Sequence, residues 1–162
     1  MTAKRIAFTR PDGGVSVIVP IPKPGETEEQ TLARCVARNI AVGNLQANTP
    51  TATIDASELP SRRFRNQWRK AGRTVAPDPT LCREQVIAEV RAERNAKLTA
   101  SDADKARLDD LGTEQQKANL ATYRQALRDL PATVYDPQTQ RGEIASLTLE
   151  QLETYSPTWP ET

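Results

Sequence analysis

The sequence predicts an α+β fold, in which a small N-terminal module containing a β-hairpin precedes a helical hairpin and an extended C-terminal tail. Alternating apolar residues around a tight turn predict the hairpin, and longer stretches of helical periodicity predict the helices. The proline-rich stretch "APDP" separates the two patterns, because Pro77 and Pro79 cannot both lie inside one helix. We therefore expect two domains, residues 1–76 and residues 77–162.

The opening residues "KRIAFTRPDGGVSVIVP" carry the strand signal. Ile6 and Phe8 fall on one face of a first strand, and Val15, Val17 and Val19 fall on one face of a second. The Pro-Asp-Gly-Gly sequence between them is typical of tight turns. The stretch "TPTATID" adds a third expected strand.

Residues 27–41 predict a short helix. Thr27 and Gln30 have the spacing of a capping box, in which each side chain bonds the backbone N–H of the other residue. Apolar residues recur after them at helical spacing. The expected buried stripe comprises Leu32, Val36 and Ile40, with Cys35 at its edge.

The segment "SRRFRNQWRKAGR", residues 61–73, is the densest charge feature of the chain. It predicts a short helix that begins near Ser61 and ends at Gly72, with Phe64 and Trp68 four residues apart on the buried face. The surrounding basic residues are Arg62, Arg63, Arg65, Arg69, Lys70 and Arg73.

Three interpretations of this basic segment stay open. Basic side chains interleaved with aromatic rings can bind phosphates and stack bases. Arginine is also enriched at protein–protein interfaces, where it would face an acidic surface. The simplest interpretation is a helix whose arginines stay in water. Because the net charge of the chain is only +1, we expect residues 61–73 to contact protein rather than nucleic acid.

A second helical region opens at Asp78-Pro79-Thr80, since proline suits the first turn of a helix. Its expected apolar seam comprises Val86, Ile87 and Val90, with Cys82 and Leu98 at the ends. Ser101 is expected to begin a further helix, with Asp104 in the capping-box position.

The last long helix is predicted from Thr113 to Leu130, where Pro131 is expected to end it. One face carries Leu120, Tyr123, Leu127 and Leu130, and we expect Tyr123 and Leu127 to pack on the seam of the preceding helical region. Arg124 and Arg128 are expected to project elsewhere. The remaining residues predict an irregular tail with a single helical turn at "LTLEQLE".

The composition argues against several functional classes. The chain contains no histidine, so a Ser-His or Cys-His nucleophile and an imidazole metal ligand are excluded. The carboxylates of "SDADKARLDD" lack the alternating spacing, central glycine and closing glutamate of a calcium loop. We therefore expect no catalytic residues, no metal site, no cofactor and no enzymatic activity.

Charge and cysteine content suggest how the chain is used. The first 78 residues hold 12 Lys and Arg against 7 Asp and Glu, while the remaining 84 hold 10 against 14. This opposite bias favours docking on a neighbouring module or a second copy, so homo-oligomerisation is an open possibility. Two distant cysteines, Cys35 and Cys82, favour a reducing compartment, and no apolar run is long enough to predict a secretion signal or a membrane span.

Three stretches resemble the tail fibre assembly proteins of tailed bacteriophages, a tail assembly chaperone family. They are "RAERNAKLTASD" (91–102), "ATYRQALRDLP" (121–131) and the closing "WP" (159–160), so the resemblance concerns the C-terminal half only. The matching residues are Leu98, Ser101 and Asp102 in the first stretch, and Tyr123, Arg124, Leu127, Arg128, Asp129 and Pro131 in the second. The chain departs from the family pattern at Ala103, where a tryptophan is usual.

The resemblance implies a non-enzymatic phage tail or tail-fibre protein, either a factor in fibre assembly or a structural subunit kept in the virion tail. Its partners would be other tail or fibre proteins, and its location the host cytoplasm during assembly or the virion tail. The alternative is a nucleic-acid-binding phage protein that uses residues 61–73. The expected partner-binding residues are Arg62, Arg63, Phe64, Arg65, Trp68, Tyr123, Arg124, Arg128, Asp129 and Trp159.

Trp159 lies between Pro157 and Pro160, which restrict the local backbone and lower the entropy lost when the tail is ordered. Two placements are open. The ring either folds back onto its own helices or anchors the tail on a neighbouring subunit, and we expect the second because buried aromatic residues often dominate interface energy.

Overall fold

The computed structural model describes residues 3–161. The chain divides into two compact units, Met1–Asp78 and Pro79–Thr162. The first combines strands with one helix, and the second is helical, so the predicted α+β class is confirmed. The domain boundary between residues 76 and 77 stays a prediction, because compactness does not test whether either part folds alone.

A three-stranded antiparallel sheet forms the centre of the first unit. Its strands are β1 (Lys4–Thr9), β2 (Val15–Ile18) and β3 (Thr51–Asp55), in the order β2-β1-β3. The predicted hairpin and third strand are therefore confirmed. The turn between β1 and β2 places Gly13 at φ +81°, a conformation that favours glycine.

The predicted helix over residues 61–72 is wrong. Arg62–Gln67 forms a kinked 3-10 segment, and a second hairpin follows it, made of β4 (Trp68–Ala71) and β5 (Thr74–Pro77). Gly72 turns the chain between these strands at φ +59°. The four-residue spacing of Phe64 and Trp68 suggested a helix, but Gly72 serves a hairpin turn rather than a helix end.

Trp68 and the second hairpin pack on one face of the sheet. Residues opposite each other in an antiparallel pair share a face, and Ala7 lies opposite both Val17 of β2 and Ala52 of β3. The resulting buried cluster comprises Ala7, Val15, Ile54, Trp68 and Val75, with Val17 and Leu59 packed against it. Ile6 and Phe8 lie on the opposite face and are also buried, so both faces of β1 are covered.

Helix α1 (Glu28–Ala41) begins at the predicted capping box, where Gln30 N–H donates to Thr27 Oγ1 and Thr27 N–H donates to Gln30 Oε1. Its most buried residues are Thr31 and Cys35. The expected stripe of Leu32, Val36 and Ile40 is only half-buried, so the buried face is rotated by about one residue from the prediction.

The second unit contains four helices: α2 (Pro79–Ala100), α3 (Asp102–Leu111), α4 (Glu114–Val134) and α5 (Leu149–Thr154). Helix α2 packs on each of the other three, and its seam of Cys82, Val86, Ile87 and Val90 is buried as predicted. Leu127 of α4 is fully buried, while Tyr123 is half-buried.

Two predicted helix ends differ from the structure. Ser101 precedes α3 but forms no capping box with Asp104, because its hydroxyl donates to Leu98 O at 2.7 Å. Pro131 does not end α4, which continues to Val134 with the proline ring buried in its last turns. Proline near the end of a helix removes only one backbone donor, and burial of the ring offsets that loss.

The tail after α4 is part of the packed unit rather than an extended appendage. Ile144 and Leu152 are fully buried, and Arg83 of α2 donates to Ile144 O at 3.1 Å and to Leu147 O at 3.2 Å. Gly142 allows the chain to turn here at φ +127°, since a Cβ at this position would lie 2.5 Å from Val134 O.

Candidate partner-binding surface

In the basic segment of the first unit, residues 61–73, arginines surround two buried aromatic rings. Phe64 is 0% exposed and Trp68 is 2% exposed. The Arg63 guanidinium lies 5.3 Å from the centre of the Phe64 ring, and Arg65 lies 5.9 Å from that of Trp68, so both stack on the rings they cover. The expectation that the two aromatic residues dock inward is correct, although a 3-10 segment and a strand position them instead of a helix.

Burial of these rings decides which contacts the segment can make. A ring that stacks on nucleic-acid bases must expose one face, and neither Phe64 nor Trp68 does. The two aromatic residues are thus structural in this conformation. Among its basic side chains, Arg62, Arg65 and Arg73 are exposed, and Arg63, Arg69 and Lys70 are half-buried.

The two longer stretches that carry the phage-protein resemblance meet in the structure. Arg124 of α4 donates through Nη1 to Leu98 O at 3.1 Å and to Ser101 Oγ, and its Nη2 lies 2.8 Å from Asp102 Oδ1. Only 13% of its side chain is exposed. Arg124 therefore connects α4 to the junction between α2 and α3, and the expectation that it projects away from the packed helices is wrong.

The same helix leaves two motif residues exposed. Arg128 and Asp129 lie on the outer face of α4, and Gln125 Nε2 donates to Asp129 Oδ1 at 2.9 Å. The motif therefore divides in two. Arg124 connects the helices and Leu127 and Pro131 are buried, while Arg128 and Asp129 are exposed.

Trp159 folds back onto its own unit. The Lys97 ammonium lies 4.8 Å from the centre of the indole ring, and Lys97 also lies 3.5 Å from Glu93. The closing Trp-Pro thus packs near the end of α2 that Arg124 contacts. Of the two placements left open by the sequence, this conformation has the intramolecular one. The expected anchor on a neighbouring subunit stays a prediction.

The sequence did not predict a groove of about 610 Å³ between α3 and α4. Leu108 and Leu120 contribute apolar side chains, and Lys105, Lys117 and Arg128 contribute positive charge. Lys105 Nζ lies 2.6 Å from Asp109 Oδ2. This hydrogen bond holds the pKa of the Asp109 carboxyl below its ordinary value. Leucines on two consecutive helices, α3 and α4, were the only signal of this groove in the sequence.

Ionisable groups with shifted pKa values have structural explanations. Glu26 accepts from Arg34 Nε at 2.7 Å, which, with bonds from Lys23 N and Thr31 Oγ1, lowers the pKa of Glu26 to about 2. Burial, together with a 2.6 Å hydrogen bond to Glu143, raises the pKa of Tyr155. Both shifts thus come from hydrogen bonds within the fold and, for Tyr155, from burial.

Residues 3–161 contain no group of three His, Cys, Asp or Glu side chains placed to hold a metal ion. Within the same range, no helix combines the length and apolar character needed to cross a membrane.

Residues 87–145 match the family model described as phage tail assembly chaperone protein. The matched range begins within α2 and ends beyond α4, so it contains both of the motifs that Arg124 connects. The resemblance recognised in the C-terminal half of the sequence is thereby confirmed, and the first unit lies outside the match. No curated protein and no solved structure matches the chain.

Proposed function

We propose that the chain is a non-enzymatic factor in bacteriophage tail assembly, and that it acts by binding a tail or tail-fibre protein. The match of residues 87–145 to the phage tail assembly chaperone family carries this proposal. The geometry supports it, because the matched helices form a packed scaffold that leaves charged side chains of α4 exposed.

The proposed binding surface has two parts. On α4 it comprises Arg128 and Asp129, with Tyr123 half-exposed nearby. On the first unit it comprises Arg62, Arg63 and Arg65. Phe64, Trp68 and Arg124 support these surfaces from within, so their replacement acts on binding through the fold rather than through a lost contact.

Two forms of the proposal differ in what happens after assembly. A transient chaperone leaves the partner and is absent from the mature particle, whereas a structural subunit stays in the virion tail. Mass spectrometry of purified virions separates them. Stoichiometric recovery of the chain supports the subunit, and its absence from particles, with abundance in infected-cell extract, supports the chaperone.

Binding is tested by co-expressing the chain with each tail and fibre protein of the same phage, followed by size-exclusion chromatography. We expect one of them to gain soluble yield and to elute with the chain. Arg128→Glu should weaken this complex, whereas Arg141→Glu, an equal charge change at another exposed site in the same unit, should not. Failure of every tail and fibre protein to co-elute would contradict the proposal.

The alternative function, nucleic-acid binding through residues 61–73, depends on the exposed arginines alone. Binding through about six phosphate contacts would weaken steeply with rising salt. A salt-sensitive affinity for DNA that disappears in the triple variant Arg62→Ala, Arg63→Ala, Arg65→Ala would favour this alternative over the proposed function.

A further inference from the structure

A cleft of about 180 Å³ lies on the surface of the first unit, lined by residues of β1 and β2 and by the segment that follows β3. Its apolar lining includes Val17, Val19, Leu59 and Trp68. Three arginines, Arg5, Arg62 and Arg65, complete the lining and bring positive charge to an apolar floor. This cleft lies outside the range that matches the phage protein family.

The three arginines have no carboxylate partner among residues 3–161. Arg5 Nη1 donates only to the neighbouring Lys4 O, at 3.0 Å, and Arg65 stacks on Trp68. Arg62 is exposed and forms no hydrogen bond or ion pair within the described part of the chain. Guanidinium groups gathered this way repel one another, and a carboxylate between them would bind by paired, charge-assisted hydrogen bonds.

A second observation concerns the indole N–H of Trp68, a residue that lines the cleft. The indole Nε1 of Trp68 is buried, and no hydrogen-bond acceptor contacts it in the structure. An unmade hydrogen bond at a buried donor costs about 1–3 kcal/mol, so such donors are uncommon in folded proteins. An acceptor brought by a ligand into the cleft that Trp68 lines would remove this cost.

The backbone of β2 favours an extended ligand. Arg10 N–H bonds Gly14 O, and the register pairs Phe8 with Ser16 and Ile6 with Ile18. On β2, Ser16 and Ile18 direct their backbone groups toward β1, so the N–H and C=O of the intervening Val17 point away from the sheet. Because β2 is an edge strand, those groups can pair with an added strand.

We propose that this cleft docks an extended acidic segment of a partner protein, which lies along the free edge of β2 and places a carboxylate among Arg5, Arg62 and Arg65. The inference rests on the proposed function only in taking the partner to be a protein. Charge complementarity favours an acidic occupant, because the first unit carries 12 basic residues against 7 acidic ones.

The test uses the full-length chain labelled with ¹⁵N and an eight-residue capped peptide that alternates valine and glutamate. We expect the peptide to shift the indole N–H signal of Trp68 and the amide signals of Val17 and Val19, with saturation. A peptide with glutamine in place of glutamate should bind at least about tenfold more weakly, because the ion pairs are lost. No saturable shift with the acidic peptide would overturn the inference.

The double variant Arg62→Glu, Arg65→Glu should abolish the shifts, while Lys70→Glu, Arg73→Glu changes the charge equally on the neighbouring hairpin and should retain them. Equal effects of the two variants would overturn the inference, as would tighter binding of oligo-deoxythymidine at the same signals. If a tail protein co-elutes equally well with the Arg62→Glu, Arg65→Glu variant and the native chain, the cleft is wrong while the proposed function stands.

Discussion

Arg124 connects α4 to the junction between α2 and α3. Its guanidinium bonds Leu98 O and Ser101 Oγ and pairs with Asp102, and each of these residues belongs to the other motif of the phage-protein resemblance. The two motifs therefore meet in the fold. They are the two halves of one contact between helices.

Replacement of Arg124 by alanine should destabilise the second unit by about 2 kcal/mol, because hydrogen bonds to a charged group contribute about 1.5–3 kcal/mol each and water replaces only part of them. Chemical denaturation followed by circular dichroism measures this. Arg128 lies one turn further along α4 and is exposed, so Arg128→Ala should change stability by less than about 0.5 kcal/mol. Equal losses in the two variants would show that the Arg124 contacts contribute no more than exposed ones.

Glu26 should make the stability of the first unit depend on pH. Its pKa falls from 4.5 to about 2 on folding, because Arg34 donates to the carboxylate. A lowered folded pKa means that the stabilisation is complete above about pH 4.5 and is lost as pH falls toward 2. The stability difference between the native chain and Glu26→Gln should therefore shrink over this range, and a difference that stays constant with pH would contradict the assignment.

At the scale of elements, the segment between Pro20 and Thr27 shows how a region without helix or strand is held in place. Arg34 of α1 donates to Glu26 and, at 2.8 Å, to Ile21 O, and Thr31 donates to Glu26 at 3.1 Å. Side chains from one turn of α1 thus fix the connection that leads into it. Sequence patterns that look only for regular elements do not detect this.

The pairing of α2 with α4 predicts the cost of a cavity. Leu127 is 0% exposed, and α4 packs on α2. Leu127→Ala should lower the free energy of unfolding by about 2–5 kcal/mol, as for other buried leucines. Leu111, which is 85% exposed, provides the matched control, and Leu111→Ala should cost less than about 0.5 kcal/mol. An unchanged melting temperature for Leu127→Ala would contradict the packing.

Elements with local signals were predictable from the sequence. The β1–β2 hairpin has its turn residues, and the start of α1 has its capping box, so neither depends on distant contacts. The β4–β5 hairpin was missed because each of its strands has only one buried residue, Trp68 or Val75, so no apolar alternation is visible. Aromatic residues four apart also suit a helix.

The candidate site was predictable only in part. The basic segment and the α4 motif stand out in the sequence, whereas the Arg124 contacts join residues 22 to 26 positions apart and the arginine cleft joins Arg5 to Arg62. Such contacts are set by how elements pack, which periodicity does not encode. Pro131 and Ser101 were misjudged for the same reason, since burial and a neighbouring carbonyl determined their roles.

For the whole molecule, the tail after α4 belongs to the core of the second unit. Ending the chain at Asp136 removes the fully buried Ile144 and Leu152, so we expect the truncated protein to lose at least about 4 kcal/mol of stability. Thermal unfolding checks this, with a chain that ends at Thr158 as the control that loses only the Trp159 contact. A chain ending at Asp136 that keeps its melting temperature but loses its partner would restore the view of the tail as an intermolecular anchor.

The molecule as a whole combines a basic unit with an acidic helical unit, and the matched helices lie in the acidic one. This arrangement suits a protein that holds a partner through one surface while a second surface engages another part of the assembly.

The most direct test of a role in tail assembly is electron microscopy of particles made by a phage in which the coding sequence for this chain is deleted. We predict particles whose tails are incomplete or lack fibres, and restoration of complete tails when the native chain is supplied from a plasmid. Arg124→Ala should restore them poorly. Complete and infectious particles made without the chain would contradict the account.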